Sequence, residues 1–410
     1  TVWLTYPLVR IEDKGNAFGE PMSIRPTVTD RPASIAAVMD LSLDRKRDLL
    51  YVNNYWRYDV AADKWEKIPQ PKEAGAGWPS TSPYCAVGAA GRDGNYYMDT
   101  GAHGVRVLRF DRDFQELPFP ATTNAAKDIS RGRIKGYAES HGCGLTADAA
   151  GNVYVILKKN ESNLDPGDSH RANALYSYAS DGQLKKARLI NSSVPGMFSP
   201  RVDYEGNIYV AAGLRPGKNW LPPGLNGRLP QAKEDAEAVN GVNGYPLIYG
   251  SIVKFGPAGG EIRHNAEGVE CNYGWGKTIG VKGAQWIVPG ASTVSSWATP
   301  KAATNTVNIC LCEAACFDVD GFGRSFFADA GRCRVGMIDT AGNEIGWFGE
   351  YGNQDSGLQS ATGNLKSAIP LAWPQAVAVG DGYAYVGDRI NRRIVRVRLD
   401  YAAVEKADIK

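Results

Sequence analysis

The chain has 410 residues, of which 43% are hydrophobic and 22% charged, and its formal net charge is +2 at pH 7. This is the composition of a globular protein with ample material for a core, which excludes a disordered chain. The near balance of charge, without a Lys/Arg-rich run, excludes nucleic acid as an expected partner, and no apolar stretch is long enough to span a membrane.

A short pattern recurs along the chain. It consists of an alternating strand, a tight turn usually centred on glycine, and a second strand with an aromatic residue at a fixed place. The 47 glycines and 20 tyrosines are in keeping with many short strands joined by tight turns. The copies lie at residues 39–54, 87–99, 144–155, 199–210, 315–329 and 376–388.

Most copies are followed by a second strand pair around another turn. These pairs are predicted at residues 57–68, 107–117, 175–190, 251–264 and 335–349. Four strands per unit are typical of a β-propeller blade, and because a blade cannot bury both of its faces alone, the ring must close. We therefore predict an all-β fold: a six-bladed β-propeller that forms a single domain over residues 1–410.

The two ends of the chain are predicted to meet in the last blade. Residues 392–401 supply a third strand there but no clear fourth follows, so residues 1–11 are expected to close this blade as its outer strand. The interval between Tyr209 and Phe326 is longer than the other repeat steps. A seventh blade around residues 277–288 is therefore the alternative to a six-bladed ring.

The last unit, residues 374–397, resembles the NHL repeat. That family has apolar alternation, a glycine turn, a strand ending in Asp, and then Asn-x-Arg-Ile. Here Asp388, Asn391, Arg393 and Ile394 match the pattern. The resemblance implies a propeller fold. It does not imply one activity, because NHL-type propellers include lyases, lactonase-like hydrolases and binding modules.

Two sets of acidic residues are predicted to be structural. Asp99, Asp329 and Asp388 end second strands at equivalent places, which favours a role in tying adjacent corners of the blades together. Residues 318–323 are similar to the start of a calcium loop, but the segment lacks the distal Glu and occupies a blade turn. Calcium is therefore not expected there.

The two faces of the ring are predicted to differ. Connections from first to second and from third to fourth strands are expected to be short, and they define the short-turn face. Connections from second to third strands and between blades define the long-loop face. The long ones are residues 69–83, 118–140, 158–171, 213–245, 265–306 and 353–370. Insertions on one face of a repeat array usually mark the binding face.

Aromatic residues are frequent in and beside these long connections. The candidate ligand-binding residues are Trp220, Tyr273, Trp275, Trp286, Tyr84 and Trp373. Rigid aromatic rings next to small polar groups suit stacking on sugars or on a protein partner. The favoured hypothesis is thus a propeller that binds a glycan or protein through its long-loop face. The alternative for these rings is that they form the loops' own small core.

A second set of candidates surrounds one mouth of the channel. His141 and Glu313 precede inner strands, Arg201 lies within one, and His103 is expected at a neighbouring corner. His103 and His141 could bind one divalent metal ion, while His141, Glu313 and Arg201 could perform acid–base catalysis. This predicts, as the alternative function, a metal-assisted lyase or hydrolase acting on a polysaccharide or lactone. Channels lined by polar residues without a catalytic role are also common, so enzyme activity stays open.

The cysteines and the first residue suggest an exported protein. Seven cysteines without a CxxC pair could form up to three disulfides in an oxidising compartment. The sequence begins at Thr1, as expected if a signal peptide was removed or if the chain is part of a longer protein. We therefore expect a secreted or extracellular protein, with the periplasm as the alternative.

Overall fold

The described part of the chain is built almost entirely of β-strands. The computed structural model describes residues 8–10, 22–24, 40–52, 56–69, 88–99, 106–122, 132–135, 144–159, 161–169, 172–194, 196–216, 249–264, 267–273, 277–293, 299–300, 307–308, 317–352, 369–391 and 393–399. Short 3-10 helices lie at Pro120–Thr122, Glu161–Asn163 and Ala330–Arg332. None of the described helices is long and apolar enough to cross a membrane.

Three four-stranded antiparallel sheets occupy the first half of the chain, after a pair formed by β1 (Leu8–Arg10) and β2 (Met22–Ile24). Sheet I consists of β3 (Leu41–Asp44), β4 (Leu49–Val52), β5 (Trp56–Asp59) and β6 (Lys64–Lys67). Sheet II consists of β7 (Gly88–Ala90), β8 (Tyr96–Asp99), β9 (Arg106–Phe110) and β10 (Ile134–Lys135). Sheet III consists of β11 (Leu145–Ala147), β12 (Val153–Lys158), β13 (Asn173–Tyr178) and β14 (Leu184–Ser192).

Three further sheets follow. Sheet IV contains β15 (Met197–Val202), β16 (Ile208–Ala212), β18 (Tyr249–Phe255) and β22 (Ala284–Thr293). The chain between the strands of sheet IV also contains four inserted strands, which extend sheet III from β14: β17 (Leu214–Arg215), β19 (Gly260–Arg263), β20 (Val269–Tyr273) and β21 (Lys277–Lys282). Sheet V consists of β25 (Asp318–Val319), β26 (Ser325–Asp329), β27 (Arg334–Ile338) and β28 (Glu344–Phe348). Sheet VI consists of β31 (Pro374–Val379), β32 (Tyr383–Asp388) and β33 (Arg393–Arg398). Two small pairs lie between these sheets: β23 (Thr299–Pro300) with β24 (Val307–Asn308), and β29 (Glu350–Tyr351) with β30 (Pro370–Leu371).

The six sheets are arranged around one axis. Their innermost strands contact one another in the order β3, β7, β11, β15, β25 and β31, and β31 in turn contacts β3. Apolar side chains fill the spaces between sheets, as where Leu43 and Trp56 of sheet I pack with Ala376 of sheet VI. This confirms the predicted all-β propeller fold, because burying both faces of each sheet requires a neighbour on either side.

The last sheet has three strands in the described part of the chain. Sheets I, II, IV and V have four each, and sheet III continues beyond its four strands into the inserted strands β19, β21, β20 and β17. The strand β1 hydrogen-bonds to β2 and lies beside β33. That residues 1–11 complete this blade as a sixth four-stranded unit stays a prediction, as does the single-domain extent of residues 1–410.

A local hydrogen-bond set explains the sequence repeat. In sheet III, one carboxylate oxygen of Asp148 accepts the backbone N–H groups of Ala150 and Asn152, at 2.9 Å each. The other accepts the Asn152 amide at 2.7 Å and the Tyr154 hydroxyl at 3.4 Å. Gly151 supplies the positive φ of 79° that the turn requires. The aromatic residue of the repeat thus helps to lock the turn that precedes it.

The strand-ending Asp388 has the structural role that the sequence predicts. Asp388 is fully buried and accepts the backbone N–H groups of Ala372 and Trp373, which belong to the connection that precedes its sheet. It also accepts the side-chain amide of Asn391 at 2.6 Å. This carboxylate therefore joins one corner of the sheet to the segment leading into it.

The strand pairing between Tyr209 and Phe326 differs from the prediction. The predicted hairpin at residues 251–264 is wrong, because β18 pairs with β22 while β19 pairs in parallel with β14 of sheet III. Two glycines permit β19 to lie this close to its neighbouring strands. A Cβ at Gly259 would lie 1.7 Å from the Leu189 carbonyl oxygen, and one at Gly260 would lie 2.3 Å from the Lys282 carbonyl oxygen.

The same arrangement corrects two further predictions. Residues 277–288 belong to β21 and β22, so they extend sheets III and IV and do not form a seventh blade. Third-to-fourth connections are not all short, because residues 111–133 and 256–283 are long. Both insertions follow the third strand of a sheet, away from the channel, whereas the first-to-second turns beside the channel all have three to five residues.

Candidate functional site

A cavity lies in the channel close to the short-turn face. Five sheets contribute to its lining, which includes Arg45, Arg92, Thr146, Arg201 and Asp318. Arg45 and Arg92 begin or enter first-to-second turns, while Arg201 and Asp318 lie on the inner strands β15 and β25. We call the three arginines together with Asp318 the axial cluster.

Asp318 is the anionic centre of the axial cluster. Its side chain is 8% exposed, and its two carboxylate oxygens lie 2.7 Å from Arg45 Nη2 and 3.1 Å from Arg201 Nε. The backbone N–H of Val379 donates to it at 2.9 Å. Burial opposes ionisation, but the charges of Arg45 and Arg201 outweigh it and hold the pKa of Asp318 below its ordinary value.

Arg92 binds backbone instead of a carboxylate. Its Nε donates to the Val202 carbonyl at 2.8 Å, and its Nη2 donates to those of Val319 and Asp320 at 3.0 and 3.3 Å. The guanidinium carbon lies 4.7 Å from the centre of the Tyr204 ring. Its Nη1 is buried and has no hydrogen-bond partner among the described residues. Burial, and then the charge of Arg45, lower the pKa of Arg92.

The axial cluster ties sheets together across the channel. The inner strand of each sheet is an edge strand, so some of its carbonyl groups lack ladder partners and need donors from elsewhere. Arg45 donates to the carbonyls of Val379 and Val319 at 2.7 and 2.8 Å, and so joins sheets I, V and VI. Arg92 joins sheet II to sheets IV and V in the same way.

Sequence reasoning identified Arg201 but missed Arg45 and Arg92. A signal was present, because both arginines occupy the same position in neighbouring copies of the repeat, at the first-to-second turn. The predicted catalytic role of Arg201 stays a prediction. Its guanidinium group is directed to Asp318 and to the Pro200 carbonyl, and its side chain is 13% exposed.

Two predicted ligand-binding residues can be placed in detail. Trp286 lies on β22, where its Nε1 donates to the Thr340 carbonyl at 3.0 Å and its ring meets Tyr209 edge-on, so it joins sheets IV and V. Trp373 lies just before β31 on the long-loop side, half-buried, and its Nε1 donates to Gln375 at 3.1 Å. Ligand binding by either residue stays a prediction.

The other predicted site residues are not placed. Tyr273 ends β20, and its side chain is outside the described part of the structure. The residues wholly outside the described ranges are His103, His141, Glu313, Tyr84, Trp220 and Trp275. The divalent metal site and the acid–base site therefore stay predictions. Within the described ranges, no three His, Cys, Asp or Glu residues are grouped to hold a metal ion.

The disulfide prediction finds no support in the described residues. Cys271 and Cys333 are both free thiols, and burial is the main cause that raises the pKa of each. The other five cysteines lie outside the described ranges. Disulfides among those five stay a prediction.

The long connection between β12 and β13 is described in most of its residues, and it contains a buried ion-pair network. Lys159 is completely buried, and its Nζ lies 2.7 Å from Asp168 and 3.3 Å from Asp165. Arg188 and Arg263 also contact Asp165, at 2.5 and 2.8 Å. Because Arg263 lies on β19, the inserted strand fixes this connection from the outside.

The network should make stability depend on pH. Burial would raise the pKa of Asp165, but hydrogen bonds from Asn191, Arg188 and Lys159 outweigh it and hold the pKa well below its ordinary value. A carboxyl group whose pKa is lowered by folding contributes stability above its unfolded pKa of about 3.9, and loses it as the pH falls towards the folded value.

We therefore expect the urea midpoint to fall below about pH 4, and to fall less steeply in Asp165→Asn than in the wild type. Urea titrations between pH 7 and pH 3 test this. Asp381→Asn, at an exposed turn position, is the control and should keep the wild-type pH dependence. Equal acid-side slopes in all three proteins would contradict the role of Asp165.

No protein-family model and no curated protein sequence matches the chain. The NHL assignment is thus not confirmed. Among solved structures, the chain is similar to regucalcin, a calcium-binding protein from Agrobacterium tumefaciens. The identity is 10% over 86% of this chain and 81% of that one, with a TM-score of 0.38. Virginiamycin B lyase from Staphylococcus aureus matches at 10% identity over 90% and 87%, with a TM-score of 0.38. An auxiliary nutrient binding protein from Bacteroides thetaiotaomicron matches at 10% identity over 88% and 68%, with a TM-score of 0.41.

Proposed function

We propose that this protein is a ligand-binding β-propeller that takes a glycan or a protein partner on its long-loop face. The observation that carries the proposal is the difference in connection length around the channel. Every first-to-second turn has three to five residues, whereas the chain from β16 to β18, from β22 to β25 and from β28 to β31, which leaves from the opposite side, is much longer. Long insertions beside a rigid ring of sheets are the usual place for binding residues.

The chemistry of these connections supports the same proposal. Trp220 and Trp275 lie in or beside long insertions, and Trp373 lies where the last inner strand begins. Tryptophan rings bury a large apolar area at low entropic cost, which suits stacking on sugar rings or on protein side chains. A secreted or extracellular location is part of this proposal and has its support in the sequence alone.

We expect Trp220→Ala or Trp275→Ala to weaken ligand binding about thirtyfold, the scale of a binding hot spot. Calorimetry against a panel of neutral and acidic polysaccharides measures the affinity. Trp347→Ala is the matched control, because Trp347 is 60% exposed on the outer strand β28. The melting temperature should stay within a few degrees of the wild type.

Two outcomes would count against this proposal. Unchanged binding with a large loss of stability would mean that the rings form a core for their own loops. Equal weakening by Trp347→Ala would mean that the polysaccharide binds to exposed tryptophans without preference for the long-loop face.

A further inference from the structure

The cavity in the axial cluster has room for one or two oxygen atoms of a larger guest. Its volume is about 20 Å³, and on the same measure one water molecule needs roughly 10–15 Å³. It lies at the short-turn end of the channel, on the side away from the face proposed for glycan or protein binding. Its contents are therefore independent of that proposal.

The charges around the cavity are not balanced. Three guanidinium groups surround one carboxylate, that of Asp318, which accepts from Arg45 and Arg201. Arg92 donates to backbone carbonyl oxygens and interacts with the Tyr204 side chain, and no carboxylate accepts a hydrogen bond from it within the described part of the chain. The nearby carboxylate of Asp320 is occupied by Arg324 at 2.6 Å and by its own turn.

Arg92 also has an unused donor. Its Nη1 is buried without a hydrogen-bond partner among the described residues, although Arg92 is one of the residues that line the cavity. A buried donor that is left unpaired is costly, and more so when its group is charged. An anion in the cavity would accept from this nitrogen and offset the excess positive charge.

We propose that the short-turn end of the channel binds a small oxyanion: a phosphate, a sulfate or the carboxylate of a small organic acid. Arg92 Nη1 is its principal donor, and Arg45 and Arg201 add positive charge. Guanidinium groups suit this class because their planar N–H groups match the oxygens of carboxylate and phosphate.

The opening of the site has aromatic residues suited to an organic acid. Tyr204, in the first-to-second turn of sheet IV, lies over Arg92 and is 67% exposed. Phe322, in the equivalent turn of sheet V, is 66% exposed. The carbon skeleton of a bound acid could lie against these rings while its carboxylate occupies the cavity, whereas inorganic phosphate would use the arginines alone.

Binding is tested with inorganic phosphate, and separately with acetate and benzoate, at constant ionic strength. Calorimetry and thermal unfolding of the wild type should show saturable binding and a matching rise in melting temperature. Arg92→Gln should weaken phosphate affinity at least about tenfold, since charged hydrogen bonds are the strong ones. Arg112→Gln, which removes an exposed arginine in the turn after β9, should leave it unchanged. Tighter binding of benzoate than of acetate would indicate an aromatic acid as the guest.

Asp318→Asn provides an independent test if Arg92→Gln does not fold. This change removes the carboxylate that competes for the arginines, so phosphate should bind at least about tenfold more tightly and should recover part of the lost stability. Wild-type protein that shows no saturable anion effect beyond that of ionic strength would overturn the proposal. Equal phosphate affinity in the wild type, Arg92→Gln and Asp318→Asn would overturn it as well.

Discussion

Replacing Lys159 with methionine is expected to lower the free energy of unfolding by about 3–5 kcal/mol, the scale for removing one partner of a buried ion pair. The lysine is completely buried, and its Nζ lies 2.7 Å from the carboxylate of Asp168, which is itself fully buried. Methionine nearly matches the volume of the lysine stem but cannot donate. Asp168 would then keep Arg263, at 3.1 Å, as its remaining ion-pair partner.

Urea unfolding measures this loss, with Lys186→Met as the matched control. Lys186 is exposed on β14 and donates to the Ala258 carbonyl, so its replacement should change stability by no more than about 0.5 kcal/mol. Adding Asp168→Asn to Lys159→Met should restore part of the stability, because the buried carboxylate that has lost Lys159 is then removed and Arg263 keeps Asp165 as its partner. A loss below about 1 kcal/mol for Lys159→Met alone would show that the buried pair is close to neutral in its net contribution.

The blade pattern could be predicted because its cause is local. The turn that joins β11 to β12 is fixed by Asp148, Gly151, Asn152 and Tyr154, all within seven residues of one another. Sheet IV has the same set, with Asp203, Asn207 and Tyr209 in the equivalent places. A sequence read in short windows therefore contains the information for the first strand pair of each sheet.

The insertion in sheet IV could not be predicted because its cause is not local. Residues 256–260 have the composition of a hairpin turn, and glycine is also the residue that permits close backbone contact. Gly259 and Gly260 serve the second purpose, since β19 crosses to β14 of the neighbouring sheet. A hairpin turn and a close backbone contact differ only in which part of the chain lies opposite the glycines. The local sequence does not contain that information.

The axial cluster was predicted only in part for a related reason. Arg45 and Arg92 lie at first-to-second turns, where a charged residue is ordinarily exposed to solvent. Closure of the ring turns this position inward and brings both residues to backbone carbonyls of distant sheets, so that Arg45 meets Asp318 across 273 positions of sequence. Asp318 likewise resembled part of a calcium loop in sequence but lies among arginines in the structure.

The second large effect is expected for Asp318→Asn, which should also cost about 3–5 kcal/mol in the absence of added oxyanions. Asparagine keeps the shape of the side chain, but it cannot offset the charges of Arg45 and Arg201. Since Arg92 has no carboxylate partner among the described residues, three guanidinium groups would then face one another across the channel. The loss should be smaller at high salt, where screening weakens their repulsion.

Asp381→Asn is the matched control for this change. It removes the same charge from the exposed first-to-second turn of sheet VI, on the same face of the ring, and should change stability by no more than about 0.5 kcal/mol. Urea midpoints at low and high sodium chloride compare the two variants. If Asp318→Asn is as stable as Asp381→Asn at both salt concentrations, the carboxylate is not needed to offset the arginines. The sheets would then be held around the axis by the arginine–carbonyl hydrogen bonds and by apolar packing between neighbours.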